Sequence, residues 1–220
     1  MNTQDKNDIL KFLFFLLFVK PFIFWALGIN ARGLEKLPKK GPCIIAANHN
    51  SHIDTLIIMS LFSSFGLLKV RPIAAEDYFC NTKFKERFFK SLIGVIPIKR
   101  HIGRTRKEEL FKDINEALKN NEIVIIYPEG TRGNDNTLAE FKTGIAHIAK
   151  MNPDVPVIPL YINGPDKILP KAEFLLVPFI SDIYIDDALY YDNTSAKLFT
   201  QKIRDKIENL YNAHKKKDTL

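Results

Sequence analysis

The chain has 220 residues and a mass of 25.3 kDa, enough for one α/β domain with a sizeable core. Its 46% apolar and 26% charged residues exclude wholesale disorder and collagen-like or mucin-like chains, and its two cysteines, Cys43 and Cys80, cannot build a disulfide framework or a four-ligand zinc site. The 32 basic against 25 acidic residues give a charge of +7, which suits an anionic partner: nucleic acid, an anionic membrane surface or a phosphorylated substrate.

The first element is the most apolar. Residues 9–29 carry six of the 17 phenylalanines and the one tryptophan, Trp25, with Lys20 and Pro21 dividing the run. Lys11 and Lys20 stand nine residues apart, half a turn out of phase on a helix, so they make no common polar stripe. A helix apolar on all sides is buried in protein or in lipid. The residues before the run are charge-balanced and no small-residue cleavage site follows, which disfavours a signal peptide. The segment is therefore expected to be a membrane-associating helix, with Lys20 snorkelling towards headgroups.

Short apolar runs and amphipathic stretches alternate after Arg32. Strands are predicted over 43–47, 71–75, 95–98, 123–127, 157–162, 174–177 and 182–185, and helices over 54–62, 83–92, 104–119, 141–151 and 196–211. The alternation implies an α/β fold with a mixed, largely parallel sheet covered by helices, whose sites gather at the carboxyl ends of strands. The tail over 215–217 reads as frayed, and no linker divides the chain.

Three strand-ending loops carry candidate chemistry. Asn48-His49-Asn50-Ser51-His52-Ile53-Asp54 follows a buried strand and enters a helix. His49 and Asp54 cannot share a helical face, but in a strand-turn-helix the carboxylate can accept the Nδ1 proton of His49 and leave Nε2 as a base. Read alone, the same residues equally fit a turn with Asp54 as helix N-cap. His52 raises a metal alternative, though no later cluster offers further ligands at a recognisable spacing, and Ser51 lacks a nucleophile elbow. Tyr127-Pro-Glu129-Gly130-Thr131-Arg132-Gly133 combines an acceptor carboxylate, a hydroxyl, a guanidinium fork and two glycines that let the backbone approach a ligand; by itself it also reads as a surface turn. Gly94-Val-Ile-Pro-Ile-Lys99-Arg100 ends a strand with two cations. Together these parts match acyl transfer to a phosphorylated alcohol.

From about Arg32 to Leu160 the chain resembles the lysophosphatidic acid acyltransferase family of glycerolipid acyltransferases, with four blocks in the family's order. The first, 48–54, resembles its His-x-x-x-x-Asp block and implies His49 as general base with Asp54 as its orienter. The second, 95–100, implies that Arg100, with Lys99, meets the acceptor phosphate. The third, 128–132, implies glycerol and phosphate contacts by Glu129, Gly130, Thr131 and Arg132. The fourth, Val155-Pro-Val-Ile-Pro-Leu160, is an apolar Pro-flanked strand, and Phe141-Lys142-x-Gly144 resembles the helix start after the third block. Tyr127 stands where Phe is usual and Gly133 where Ser is common.

The resemblance implies an O-acyltransferase that moves a fatty acyl group from acyl-CoA or acyl carrier protein to 1-acyl-glycerol 3-phosphate, forming phosphatidic acid. No acyl-enzyme is expected, since the chain offers no convincing activated Ser or Cys, and no metal or cofactor is expected. Other lysophospholipids, glycerol 3-phosphate or a lyso-aminolipid are the alternative acceptors, and a non-catalytic basic membrane-binding module is the alternative of another class. A nucleic-acid partner is not expected, because the basic residues are spread and no RNA motif or helix-turn-helix pattern appears. The expected organisation is a membrane-associating segment (1–30), an acyltransferase domain (31–212) and a basic tail (213–220), held at the cytoplasmic face of the inner membrane.

Overall fold

Runs such as Cys43-Ile-Ile-Ala-Ala and Ile123-Val-Ile-Ile lack polar alternation, which is the pattern of strands covered on both faces. The computed structural model describes residues 3–26, 28–51, 53–79, 82–99, 107–131, 133, 138–164 and 181–218. In chain order the described elements are α1 (Thr3–Phe14), which continues through two wider π turns (Phe15–Val19 and Phe22–Ala26), β1 (Ile29–Arg32), β2 (Cys43–Ala47), α2 (Asp54–Ser60), β3 (Val70–Ala75), α3 (Glu76–Phe79), α4 (Lys83–Phe88) with a π turn (Phe89–Ile93), β4 (Ile96–Ile98), α5 (Lys107–Leu110), α6 (Lys112–Lys119), β5 (Ile123–Ile126), α7 (Gly144–Met151), β6 (Val157–Asn163), β7 (Ser181–Ile185) and α8 (Ala196–Asp218).

The described strands form one sheet in the order β1-β7-β6-β2-β5-β3-β4. The five from β6 to β4 are mutually parallel, whereas β7 pairs antiparallel with β6 and β1 runs parallel to β7. The mixed, largely parallel sheet is thus present, and the carboxyl ends of β2, β5 and β6 lie side by side. Alternate residues of each strand enter two apolar layers. On one face Cys43, Ile45, Ile125 and Leu160 pack with Ile57 and Ile58 of α2 and with Phe15, Val19 and Ile23 of the N-terminal helical run. On the other, Ile44, Ala46, Val124 and Tyr161 meet Ile114 of α6, Ile145 of α7 and Phe199 and Ile203 of α8.

Several elements differ from the sequence reading. β1 and α3 were not expected, since four-residue segments carry little periodicity. The helix read over 104–119 is interrupted at Phe111 between α5 and α6, and its first residues, 104–106, lie outside the described residues, as does the strand read over 174–177. α8 runs on to Asp218, through the stretch read as frayed.

The N-terminal run turns one stripe to the sheet and leaves Leu16, Leu17, Phe18, Phe24 and Trp25 exposed on its other faces. Phe15, Val19 and Ile23, four residues apart, form the stripe that covers the sheet, and Lys11 one turn earlier on that stripe is buried. Lys11 Nζ donates to the Val70 carbonyl at 2.7 Å and Lys20 Nζ to the Phe62 carbonyl at 2.7 Å, so Lys20 turns to the protein rather than snorkelling outwards. No helix among the described residues is long and apolar enough to cross a membrane.

Candidate active site

β2 ends at Ala47, and Asn48 extends its pairing by side chain. The Asn48 amide accepts the Ile162 N–H (2.8 Å) and donates to the Ile162 carbonyl (2.9 Å), adding one more ladder step between β2 and β6. This pins the start of the turn that carries His49.

Asp54 opens α2, yet its carboxylate faces back into that turn. One oxygen, Oδ2, accepts the N–H groups of Asn50 and Ser51, each at 2.8 Å, and stands 2.9 Å from His49 Nδ1. The alternative of Asp54 as N-cap is not what is seen: it is the first helical residue, and Ile53 precedes it without a side-chain cap. A carboxylate oxygen can only accept, so Nδ1 carries the proton and the Nε2 lone pair is left for a substrate. Asp54 is fully buried, whereas the His49 side chain keeps 20% of its exposure. Asp54 Oδ1 and Ser51 Oγ, both buried, have no partner among the described residues.

The turn after β5 closes on His49 from the other side. The His49 N–H donates to Glu129 Oε1 (2.9 Å) and the His49 carbonyl accepts from Gly133 N–H (2.8 Å). Glu129 Oε2 accepts the Ala139 N–H at 3.1 Å, so the buried carboxylate joins the His49 turn to the chain that leads into α7. Burial raises the Glu129 pKa above the usual value, and its two backbone donors hold it back. Tyr127, the first residue past β5, lays its ring on the imidazole with centroids 4.1 Å apart and planes 21° from parallel, and its hydroxyl lies 2.8 Å from Thr55 Oγ1 on α2.

Of the expected site residues, the structure therefore brings His49, Asp54 and Glu129 together. Gly130 makes the turn at φ +70°, where the Lys142 side chain passes so closely that a Cβ would fall 2.7 Å from its Nζ. Thr131 is exposed beside it, and Lys99 is exposed just after β4. Arg100, Arg132 and His52 lie outside the described residues. Asn48, Tyr127 and Thr55 were not singled out as site residues; a Tyr in place of the usual Phe was the one signal available. Among the described residues no group of three or more His, Cys, Asp and Glu side chains could hold a metal ion. Burial pushes the Cys43 thiol up to about 12, far from a thiolate nucleophile at neutral pH. A depression of about 650 Å³ opens at the opposite edge of the sheet, between Asp8, Arg71, Gly94, Asp113 and Glu122, and takes no part in this constellation.

A family model described as Acyltransferase matches residues 28–163, the stretch that holds every one of these contacts. The chain belongs to the acyltransferase family. Its acyltransferase relatives include the chloroplastic 1-acyl-sn-glycerol-3-phosphate acyltransferase BAT2 of Brassica napus, 31% identical over 185 residues, which are 83% of this chain and 51% of that protein. A 1-acyl-sn-glycerol-3-phosphate acyltransferase of Pseudomonas aeruginosa is 26% identical over 172 residues, 78% of this chain and 63% of the relative. The chain thus spans about half to two thirds of the length of these relatives. The crystal structure of the 1-acyl-sn-glycerophosphate acyltransferase PlsC from Thermotoga maritima shares the fold with a TM-score of 0.70 and 20% identity, covering 96% of this chain and 79% of that one.

Proposed function

We propose that this acyltransferase moves a fatty acyl group from an acyl thioester, acyl-CoA or acyl carrier protein, to the free hydroxyl of 1-acyl-glycerol 3-phosphate, forming phosphatidic acid in phospholipid synthesis. The observation that carries the chemistry is the 2.9 Å contact of His49 Nδ1 with a buried Asp54 carboxylate at the carboxyl edge of a parallel sheet. The names of the relatives support the acceptor. His49 Nε2 takes the hydroxyl proton as that oxygen attacks the thioester carbonyl carbon; the tetrahedral oxyanion collapses, the C–S bond breaks, and the proton passes from the imidazolium to the leaving thiolate. Asp54 fixes the tautomer and supports the imidazolium.

Lys99, Arg100 and Arg132 bind the acceptor phosphate, and Gly130 and Thr131 frame the glycerol. β5 adjoins β2, whereas β4 lies further along the same side of the sheet, three ladder spacings from β2, or about 14 Å. The exposed Leu17, Phe18, Phe24 and Trp25 seat the N-terminal run in the outer layer of a membrane at its cytoplasmic face, and the basic surplus favours anionic lipid.

The test is acyl transfer from labelled acyl-CoA or acyl carrier protein to a panel of acceptors. Lysophosphatidic acid is expected to be the best of them, and a better lysophospholipid with a headgroup would replace the assignment. His49→Ala is expected to lower kcat by about 10²–10⁴-fold with the fold retained, and Asp54→Asn to be severely impaired. Arg100→Ala and Arg132→Ala are each expected to cost about 10- to 150-fold in kcat/KM for lysophosphatidic acid, and little for neutral monoacylglycerol. Equal losses on both acceptors would remove the phosphate role.

A further inference from the structure

The contact between Asp54 Oδ2 and His49 Nδ1 fixes one edge of the imidazole, but a ring held at one edge can still rock about that bond and swing Nε2 away from the hydroxyl it must meet. The face of the ring is held by something else. Tyr127 lies against it at 4.1 Å and 21°, and the phenol hydroxyl reaches Thr55 Oγ1 at 2.8 Å. The three residues come from three neighbouring pieces of the fold: His49 from the turn after β2, Tyr127 from the end of β5, and Thr55 from the first turn of α2.

We propose that Tyr127 is a positioning residue for the acyl-transfer step, holding the His49 imidazole in its reactive plane by a stack that Thr55 pins at its far end. The proposal rests on His49 acting as the general base. An edge bond and a face contact together define the ring's orientation, which neither does alone, and geometric control of this kind is what makes a bound pair reactive. A phenylalanine could stack in the same place, but its far end would be free to slide. The Tyr127 hydroxyl is partly buried and finds its partner in Thr55, on the helix that also carries Asp54. The clamp thereby sets the imidazole against the same element that orients its Nδ1. Burial, with the Asp54 charge adding to it, raises the phenol pKa well above its usual value, so the hydroxyl stays neutral and the Thr55 link persists across the working pH range.

Steady-state kinetics with lysophosphatidic acid, varying acceptor and donor separately, test this on Tyr127→Leu, Tyr127→Phe, Thr55→Val, the double variant Tyr127→Phe/Thr55→Val, and His49→Ala, with the melting temperature of each. Tyr127→Leu is expected to lower kcat by about 10- to 100-fold with both KM values within about twofold of the parent. Tyr127→Phe keeps the stack and is expected to recover kcat to within about threefold of the parent, with Thr55→Val matching it and the double variant no worse than either, because the same bond is lost in all three. Should Tyr127→Leu fail to fold, Tyr127→Met fills the site with a flexible side chain and is read the same way. A parental kcat for the Leu and Met variants, a loss confined to KM, or a Phe variant no better than Leu would overturn the proposal while an inactive His49→Ala left the base intact. Additive losses in the double variant would overturn the Thr55 pin. Parental activity in His49→Ala would overturn the general-base reading itself.

Discussion

Glu129 uses its carboxylate on the protein itself. One oxygen takes the His49 N–H and the other the Ala139 N–H, and the carboxylate is nearly closed off from solvent. Each oxygen retains a second lone pair, so a contact with the acceptor hydroxyl is compatible with this clamp. Glu129→Gln would turn an NH2 group towards a backbone N–H that has lost its acceptor. Because bonds to a charged group are worth about 1.5–3 kcal/mol, the variant is expected to melt several degrees lower and to lose kcat more than KM, since the turn that displaces is the one carrying His49. Differential scanning calorimetry beside the kinetics checks both. A fall in acceptor affinity alone, at an unchanged melting temperature, would assign Glu129 to the substrate instead of the turn.

The N-terminal helical run shows what a single charged residue can do to an element. Lys11 occupies the stripe shared by Phe15, Val19 and Ile23, and its amine meets the Val70 carbonyl where β3 begins. Burial, with the nearby Arg71 guanidinium adding to it, lowers its pKa from the usual 10.5 to about 7, while Asp8 and Glu122 oppose the shift. Below about pH 7 the folded and unfolded chains both hold the proton, and the cost of burying the charge is complete. Between about 7 and 10.5 the unfolded chain binds more protons than the folded one, so this residue makes stability rise with pH. Lys11→Met is expected to be more stable than the parent at pH 6 and to lose that advantage by pH 10, as read from denaturant midpoints of the two proteins at each pH. A constant difference would mean that Lys11 is buried without an ionisation cost. Nothing local marked Lys11 for the interior, since isolated lysines are ordinarily solvated and its acceptor lies 59 residues away. The strands were more legible. Cys43-Ile-Ile-Ala-Ala is bounded by a proline before it and an asparagine after it, so β2 stands where the pattern placed it. The His49–Asp54 pair was legible too, because five residues span one turn, whereas the Tyr127–Thr55 link joins residues 72 apart and required the fold.

At the scale of the molecule, the alternation of apolar runs revealed a helix-covered sheet but not its order. The reversal of β7 and β1 depends on the stretch beyond Leu160, where no motif guided the reading. The membrane proposal is also a property of the whole surface. Leu17, Phe18 and Trp25 are 59%, 65% and 94% exposed, so replacing all three by Ser removes apolar surface without opening the core. Such a variant is expected to lose most of its binding to vesicles containing anionic lipid in a sedimentation assay, at a melting temperature close to the parent's. For the parent protein, binding is expected to weaken as salt rises. Equal sedimentation of the two proteins would remove the N-terminal run from the interface.

The reversed strands give that run a direction. Lys11 sits level with the first residue of β3, at the amino edge of the sheet, whereas Ile29 pairs with Ser181, level with the carboxyl end of β6. The helix therefore climbs the sheet, and its Trp25 end arrives at the edge where His49 stands. A lysolipid with a sixteen-carbon chain would lose about 0.8 kcal/mol per methylene, or roughly 12 kcal/mol, on being lifted into water. On the proposed membrane seating, an edge held against the headgroups by Trp25 would meet the polar end of the proposed lysolipid acceptor while its hydrocarbon stays in the bilayer. The barrier to substrate capture would then contain no extraction step, and turnover is expected to depend on the surface density of lysolipid in the membrane rather than on its bulk concentration.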